Sequence, residues 1–188
     1  MKKILTLLVI LNMFVSVSMA AESDYRKIYL DMKVPDFSYI HGIDPGQYYD
    51  NKDASYSVYP LLRLSSPLYF KTITIKPGYY DLTPREHKGK QYILFKQNGL
   101  IVHILPVYKK EIVPIDFYRT HLPKPRYTLT QKIGNSLHMF VGKVFKSAKR
   151  KPLAKTYLEV EDVADNFVIL IIYYNNYRYY IIVRSVRM

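Results

Sequence analysis

From residue 28 onwards, apolar positions recur at every second residue more often than at every third or fourth, the period of strands with one face buried. Ile28, Leu30, Met32 and Val34 alternate with Tyr29, Asp31 and Lys33. This predicts a first strand, stopped by Pro35, which has no N–H to give to a ladder. Residues 41–57 read as a loop, because His41-Gly42-Ile43-Asp44-Pro45-Gly46 and Asp50-Asn51-Lys52-Asp53 are turn formers throughout. Alternation returns from Leu68 to Ile75. Lys76-Pro77-Gly78-Tyr79 then fits a type II turn, with Pro second and Gly third, leading into a short strand from Tyr79 to Leu82. Thr72 to Tyr80 thus reads as strand, Pro-Gly turn, strand.

Two hairpins follow. Tyr92 to Gln97 and Leu100 to Leu105 flank Asn98-Gly99, the favoured pair for a type I′ turn because both central residues need positive φ. Strict alternation from that turn sets Gln97 against Leu100, Phe95 against Val102, and Ile93 against Ile104. One face is then wholly apolar. The other, with Leu94, Lys96 and His103, is half polar and partly covered, and His103 opposite Leu94 reads as a packed residue. The second hairpin runs from Phe167 to Tyr174, turns at Asn175-Asn176, and returns from Tyr177 to Val186. Both of its faces are apolar enough to be buried, which places it in the middle of a sheet. Arg178 and Arg184 fall across from Tyr173 and Phe167, in position to stack on aromatic rings.

Between the hairpins, Pro123 and Pro125 mark an extended connector. Ile133, Leu137, Phe140, Val141, Val144, Phe145 and Ala148 then fall at helical spacing and predict an amphipathic helix over 133–151, ended by Pro152. Tyr157 to Val163 resumes as a strand. The expected fold is mainly β: an antiparallel sheet or sandwich-like single domain over residues 21–188, with one amphipathic helix packed against it. A small outer-membrane barrel competes on strand number, but the Pro-rich connector, the helix and the Arg187-Met188 ending argue against it.

The first twenty residues change the setting. Met1-Lys2-Lys3, an apolar run from Ile4 to Val17, and Ser18-Met19-Ala20 read as a secretory signal peptide cleaved after Ala20, too short and too interrupted for a membrane anchor. The expected location is the periplasm, the cell envelope or the extracellular space. The chain has no Cys, so disulfides do not hold such a domain together and its stability falls to apolar burial.

With 28 Lys and Arg against 15 Asp and Glu, the formal net charge is +13, two units of it from the leader's Lys2 and Lys3. Outside the cell this favours lipid headgroups or anionic envelope polymer over nucleic acid as a partner. Lys143, Lys146, Lys149, Arg150 and Lys151, with Lys155 beyond them, form an acid-free run on the exposed side of the expected helix. They are the candidate contact to an anionic surface, possible peripheral membrane contact included. Tyrosine is the other excess, with 20 residues; Tyr177 and Tyr179 at the second hairpin turn are the candidate aromatic patch.

Catalytic motifs fail one after another. No Gly-x-Ser-x-Gly elbow, Ser-x-x-Lys or cysteine nucleophile is present, and no glycine-rich phosphate loop. His41, His87, His103, His121 and His138 are isolated in sequence, so no catalytic residue, metal ligand or cofactor is assigned. Asp44, Asp50, Asn51 and Asp53 offer oxygens in one loop, as do Glu159, Glu161, Asp162, Asp165 and Asn166 in another, but neither set has calcium-loop spacing. The reading is a non-catalytic binding or structural module of the cell envelope acting through protein–protein contacts. A basic protein on an anionic polymer or lipid surface is the alternative, and a hydrolase without a recognisable motif is a further one.

Overall fold

A computed structural model describes residues 25–51, 57–123, 128, 154–163 and 165–187. The leader, the expected helix over 133–151 and its basic run lie outside the described residues. Residues 25–31 are helical (α1), where alternation predicts a strand. The reason is visible in what α1 touches. Tyr29 is buried edge-on against Phe70 (5.6 Å) and tilted against Phe167 (5.3 Å), and its hydroxyl accepts the Lys71 N–H at 2.7 Å. The helix thus buries Tyr29 and exposes Leu30, the reverse of the alternation pattern.

A one-turn 3₁₀ segment, Ile40–Gly42, and a five-residue helix α2, Gln47–Asn51, occupy the loop region. Strands β1 (Leu61–Leu64), β4 (Gly78–His87), β5 (Lys90–Gln97) and β6 (Leu100–Pro106) form one antiparallel sheet in the order β1-β4-β5-β6. The second sheet has β2 (Leu68–Phe70), β3 (Ile73–Ile75), β7 (Lys109–Ile112), β8 (Thr156–Val163), β9 (Phe167–Tyr174) and β10 (Tyr177–Arg184). Its order is β3-β2-β10-β9-β8, with β7 pairing the first half of β10. A last short helix, α3 (Phe117–His121), follows β7. The two sheets are open and make a sandwich-like domain with helices on its flanks; they do not close into a barrel.

The C-terminal hairpin has the expected register, Tyr174 against Tyr177 through to Phe167 against Arg184. β9 lies between β8 and β10, and Phe167 to Tyr173 are all buried, on both of its faces. The face bearing Phe167 and Tyr173 is covered by Tyr29 and by Phe117, whose ring stacks on Tyr173 at 4.2 Å. Arg184 lies over Phe167 (5.0 Å) as expected, whereas Arg178 sits over Tyr180 (5.5 Å).

Three local readings are corrected. Leu68 to Ile75 is not one strand but the tight hairpin β2–β3, turned at Lys71 with φ 52°. Gly78 opens β4, paired with Leu64, and the strand runs ten residues instead of four. Pro84 is tolerated inside it because β1 pairs only residues 78–81, so the missing N–H faces no neighbour strand. In the β5–β6 hairpin the turn is right, with Asn98 and Gly99 at φ 51° and 79°. A bulge at Val102 then sets Phe95 against His103 and Ile93 against Leu105, one position away from strict alternation. Leu105 is thereby buried with Ile93 and Phe95, Val102 is exposed, and His103 is half-buried near Tyr80.

The main core joins Leu62, Tyr80, Leu82, Ile93, Phe95 and Leu105 of the first sheet to Leu68, Phe70, Ile75 and the β9–β10 hairpin of the second. On β7, Glu111 gathers Lys109 (2.7 Å), Arg178 (2.7 Å) and the Tyr180 hydroxyl (2.7 Å). Hydrogen bonds from Lys109 and Tyr180, with the charge of Arg178, hold its carboxyl down at about 2. A lowered carboxyl pKa stabilises the fold above the ordinary glutamate range, and this contribution disappears as pH falls towards 2. Thermal melts between pH about 4.5 and 2 should therefore show a shallower acid loss for Glu111→Gln than for the unaltered protein. Equal slopes would show that Glu111 is not coupled to folding.

Candidate functional site

Asp44-Pro45-Gly46 turns the chain between the 3₁₀ segment and α2: the Gly46 N–H donates to Asp44 Oδ1 (3.0 Å), and the Gln47 N–H to the Asp44 carbonyl (3.1 Å). This aims the Asp44 carboxylate into the sheet. Arg85 of β4 meets it with two bonds, Nε to Oδ1 at 2.9 Å and Nη2 to Oδ2 at 2.8 Å. Lys96 of β5 donates from Nζ to Oδ2 at 2.5 Å and to Gln47 Oε1 at 3.1 Å. Asp50 of α2 accepts from Arg85 Nη2 (2.6 Å) and from the Tyr59 hydroxyl (2.7 Å), and the Tyr59 ring lies 4.6 Å from Lys96 Nζ. A Cβ at Gly46 would sit 2.8 Å from Arg85 Nη2, so a larger residue here would push the guanidinium off its carboxylates.

Two acids and two bases balance within this cluster, and its inner pair is dry: the Asp44 and Lys96 side chains are each 1% exposed. Burial alone would raise the Asp44 carboxyl, but the bonds from Arg85 and Lys96 outweigh it and hold the group below its usual range. Burial lowers the Lys96 ammonium, which shares its only carboxylate contact with Arg85 and is repelled by that guanidinium. Burial also raises the Tyr59 hydroxyl, helped by its bond to Asp50. Burial disfavours the Arg85 charge, yet its bonds to Asp44 and Asp50 prevail and keep it fully cationic.

The network fixes what lies above it. Ile40 is 82% exposed, Tyr49 75%, Tyr48 69% and Ile43 57%, with Leu100 and Val102 of β6 also open. Ile43, Tyr48 and Leu100 share one surface, and Ile40, Tyr49 and Val102 flank them along the chain. Ile43 bridges to Leu100, Gly42 lies against the Ile101 backbone with φ 68°, and Ile43, Asp44, Gln47, Tyr48, Asn51 and Gly99 line a single cleft. Tyr48 and Tyr49 pack edge to face at 5.5 Å. Exposed apolar side chains gathered this way on a soluble surface mark contact sites more often than scattered ones do.

Tyr177 and Tyr179 part company: Tyr177 is 42% exposed beneath Lys110 (4.3 Å), while Tyr179 is buried in the core. Both share a face with Ile181 and Val183, but Tyr177 adjoins the Asn175-Asn176 turn at the open end of the hairpin, while Tyr179 lies one pair further into the sheet. Lys143, Lys146, Lys149, Arg150 and Lys151 lie outside the described residues. Lys155 is described and lies over the Tyr118 ring at 5.7 Å. Of the calcium-type oxygens, those of Asp44 and Asp50 are taken by Arg85, Lys96 and Tyr59, and Glu159 accepts from Tyr173 at 2.7 Å. Among the described residues no three acidic, histidine or cysteine side chains gather as a metal site. His87 stacks on Phe37 (4.0 Å) and His121 on Phe117 (4.1 Å).

Sequence reasoning missed Arg85, Lys96 and Tyr59 as partners of the loop. Lys96 alone carried a signal, as a lone cation on a strand face otherwise apolar enough to be covered. No known family model matches the chain, and no curated protein or solved structure matches it either.

Proposed function

We propose that this protein is a non-catalytic binding module, and that the surface of Ile40, Ile43, Tyr48, Tyr49, Leu100 and Val102 receives another protein. The observation that carries the reading is the pairing of exposed apolar side chains with a buried ionic base. Large apolar groups held on a pre-ordered loop lose little conformational freedom on docking, so more of their burial energy is realised as affinity. Aromatic side chains such as Tyr48 and Tyr49 are the residue types enriched at such contacts. Catalysis at the charged cluster is disfavoured by access: with Asp44 and Lys96 almost wholly enclosed, a substrate would have to displace the loop to reach them. The signal-peptide reading places the partner at the cell envelope, and the excess of basic residues favours an acidic one.

A photoreactive residue installed at Ile40 or Tyr48, and for comparison at Arg63 on the exposed edge strand β1, tests this in the native host. Adducts of one discrete mass from positions 40 and 48 and none from 63 are the expected result. No adduct from either, or the same ladder from all three, would remove the binding role from this surface.

A further inference from the structure

Lys96 and Asp44 are in direct contact in a dry site, independently of any binding role. We propose that they condense to an intramolecular isopeptide bond, joining β5 covalently to the loop over residues 40–51. Nζ lies 2.5 Å from Oδ2, so a side-chain movement that carries the amine from that oxygen onto Cγ, with neither element displaced, brings the two groups together. The two carboxyl oxygens are held differently. Oδ1 accepts from the Gly46 N–H (3.0 Å) and Arg85 Nε (2.9 Å), two fixed donors suited to the charge that develops on the oxygen kept in the product. Oδ2, the oxygen to be lost, is the one shared by Lys96 and Arg85 Nη2.

The step balances without any other reagent. One ammonium proton passes to the carboxylate, giving a neutral amine and a neutral acid. The nitrogen lone pair forms the Nζ–Cγ bond, the Cγ–Oδ2 bond breaks with its electron pair going to oxygen, and a second proton from nitrogen completes a departing water. Gln47 Oε1, 3.1 Å from Nζ, orients the amine and accepts from it. Burial pulls the Lys96 ammonium towards the neutral form that reacts, and the Arg85 bonds that hold the Asp44 carboxyl low must yield as it takes up the proton. Enclosure also disfavours the reverse hydrolysis, because water is excluded from a pair 1% exposed on each side.

The charges left behind are accommodated as well. Condensation removes one cation and one anion, and Arg85 keeps Asp50 at 2.6 Å as its counter-ion. A chain without cysteine would thereby gain a covalent tie of the kind disulfides give other exported domains.

Intact-mass measurement of the folded protein, followed by tryptic mapping, decides the matter. The expected mass is lower than that of the amino-acid chain by one water, with residues 34–52 and 91–109 recovered as one branched peptide, uncut at Lys96. Lys96→Arg should restore the full mass, and Asp44→Asn should lose one ammonia instead of one water. A folded protein of unreduced mass, releasing residues 91–96 as a free peptide, overturns the proposal and leaves an ion pair only.

Discussion

Asp44→Ala is expected to destabilise the folded protein by about 3–5 kcal/mol, the cost of breaking a buried ion pair from one side. The substitution strands Lys96, whose side chain is 1% exposed, without a counter-ion, leaving it only the Gln47 oxygen and the Tyr59 ring, and it removes an acceptor from two of the Arg85 nitrogens. For a domain of this size the expectation is a fall in Tm of roughly 10 °C. It holds whether the pair is ionic or joined, since the partner is lost in both cases. Asp44→Leu combined with Lys96→Met should recover much of the loss, because a dry apolar pair carries no desolvation cost. A single substitution costing under about 1 kcal/mol would show that the loop over residues 40–51 is not fixed by this contact.

Phe95→Ala should cost a similar amount, about 3–5 kcal/mol, while Val102→Ala stays within about 0.5 kcal/mol. Strict alternation makes these two residues facing neighbours on one apolar surface. The bulge separates them: Phe95 is wholly buried, edge-on to Tyr80 at 5.8 Å, and Val102 is turned out to solvent. Chemical denaturation of the two variants tests the bulge directly. Comparable losses from both would mean that the uninterrupted register holds.

The bulge also marks where sequence reasoning reaches its limit. Turn chemistry is local, so Asn98-Gly99 and the full register of the Phe167 to Arg184 hairpin are legible from the residues alone. The burial of both faces of β9 is legible too, because seven successive apolar residues leave no polar side to expose. A bulge, in contrast, is decided by what the next element demands: Leu105 must reach the core before the chain crosses to β7 in the other sheet. Alternation likewise misleads at residues 28–34, where Tyr29 is drawn in by Phe70 and Phe167, 41 and 138 positions further along the chain. The charged cluster was half visible. Asp44-Pro45-Gly46 announces a turn, but the pairing of Asp44 with Arg85 and Lys96 spans 41 and 52 residues and leaves no local trace.

The position of β9 and β10 has a consequence for how the protein comes into being. Every other strand of the second sheet precedes them in the chain, yet β2 and β7 join that sheet only through β10, and β8 only through β9. As the polypeptide emerges from the ribosome, β7 and β8 wait without a template and β2 has only its hairpin partner β3, so the sheet closes late, once residue 184 is free. Such non-local closure is slow compared with helix or hairpin formation. The interval keeps the nascent chain threadable, a property useful to any protein that must pass through a narrow pore before it folds. It also leaves the run Phe167 to Tyr173, uncharged and rich in β-branched residues, as the segment most prone to self-association if release is delayed.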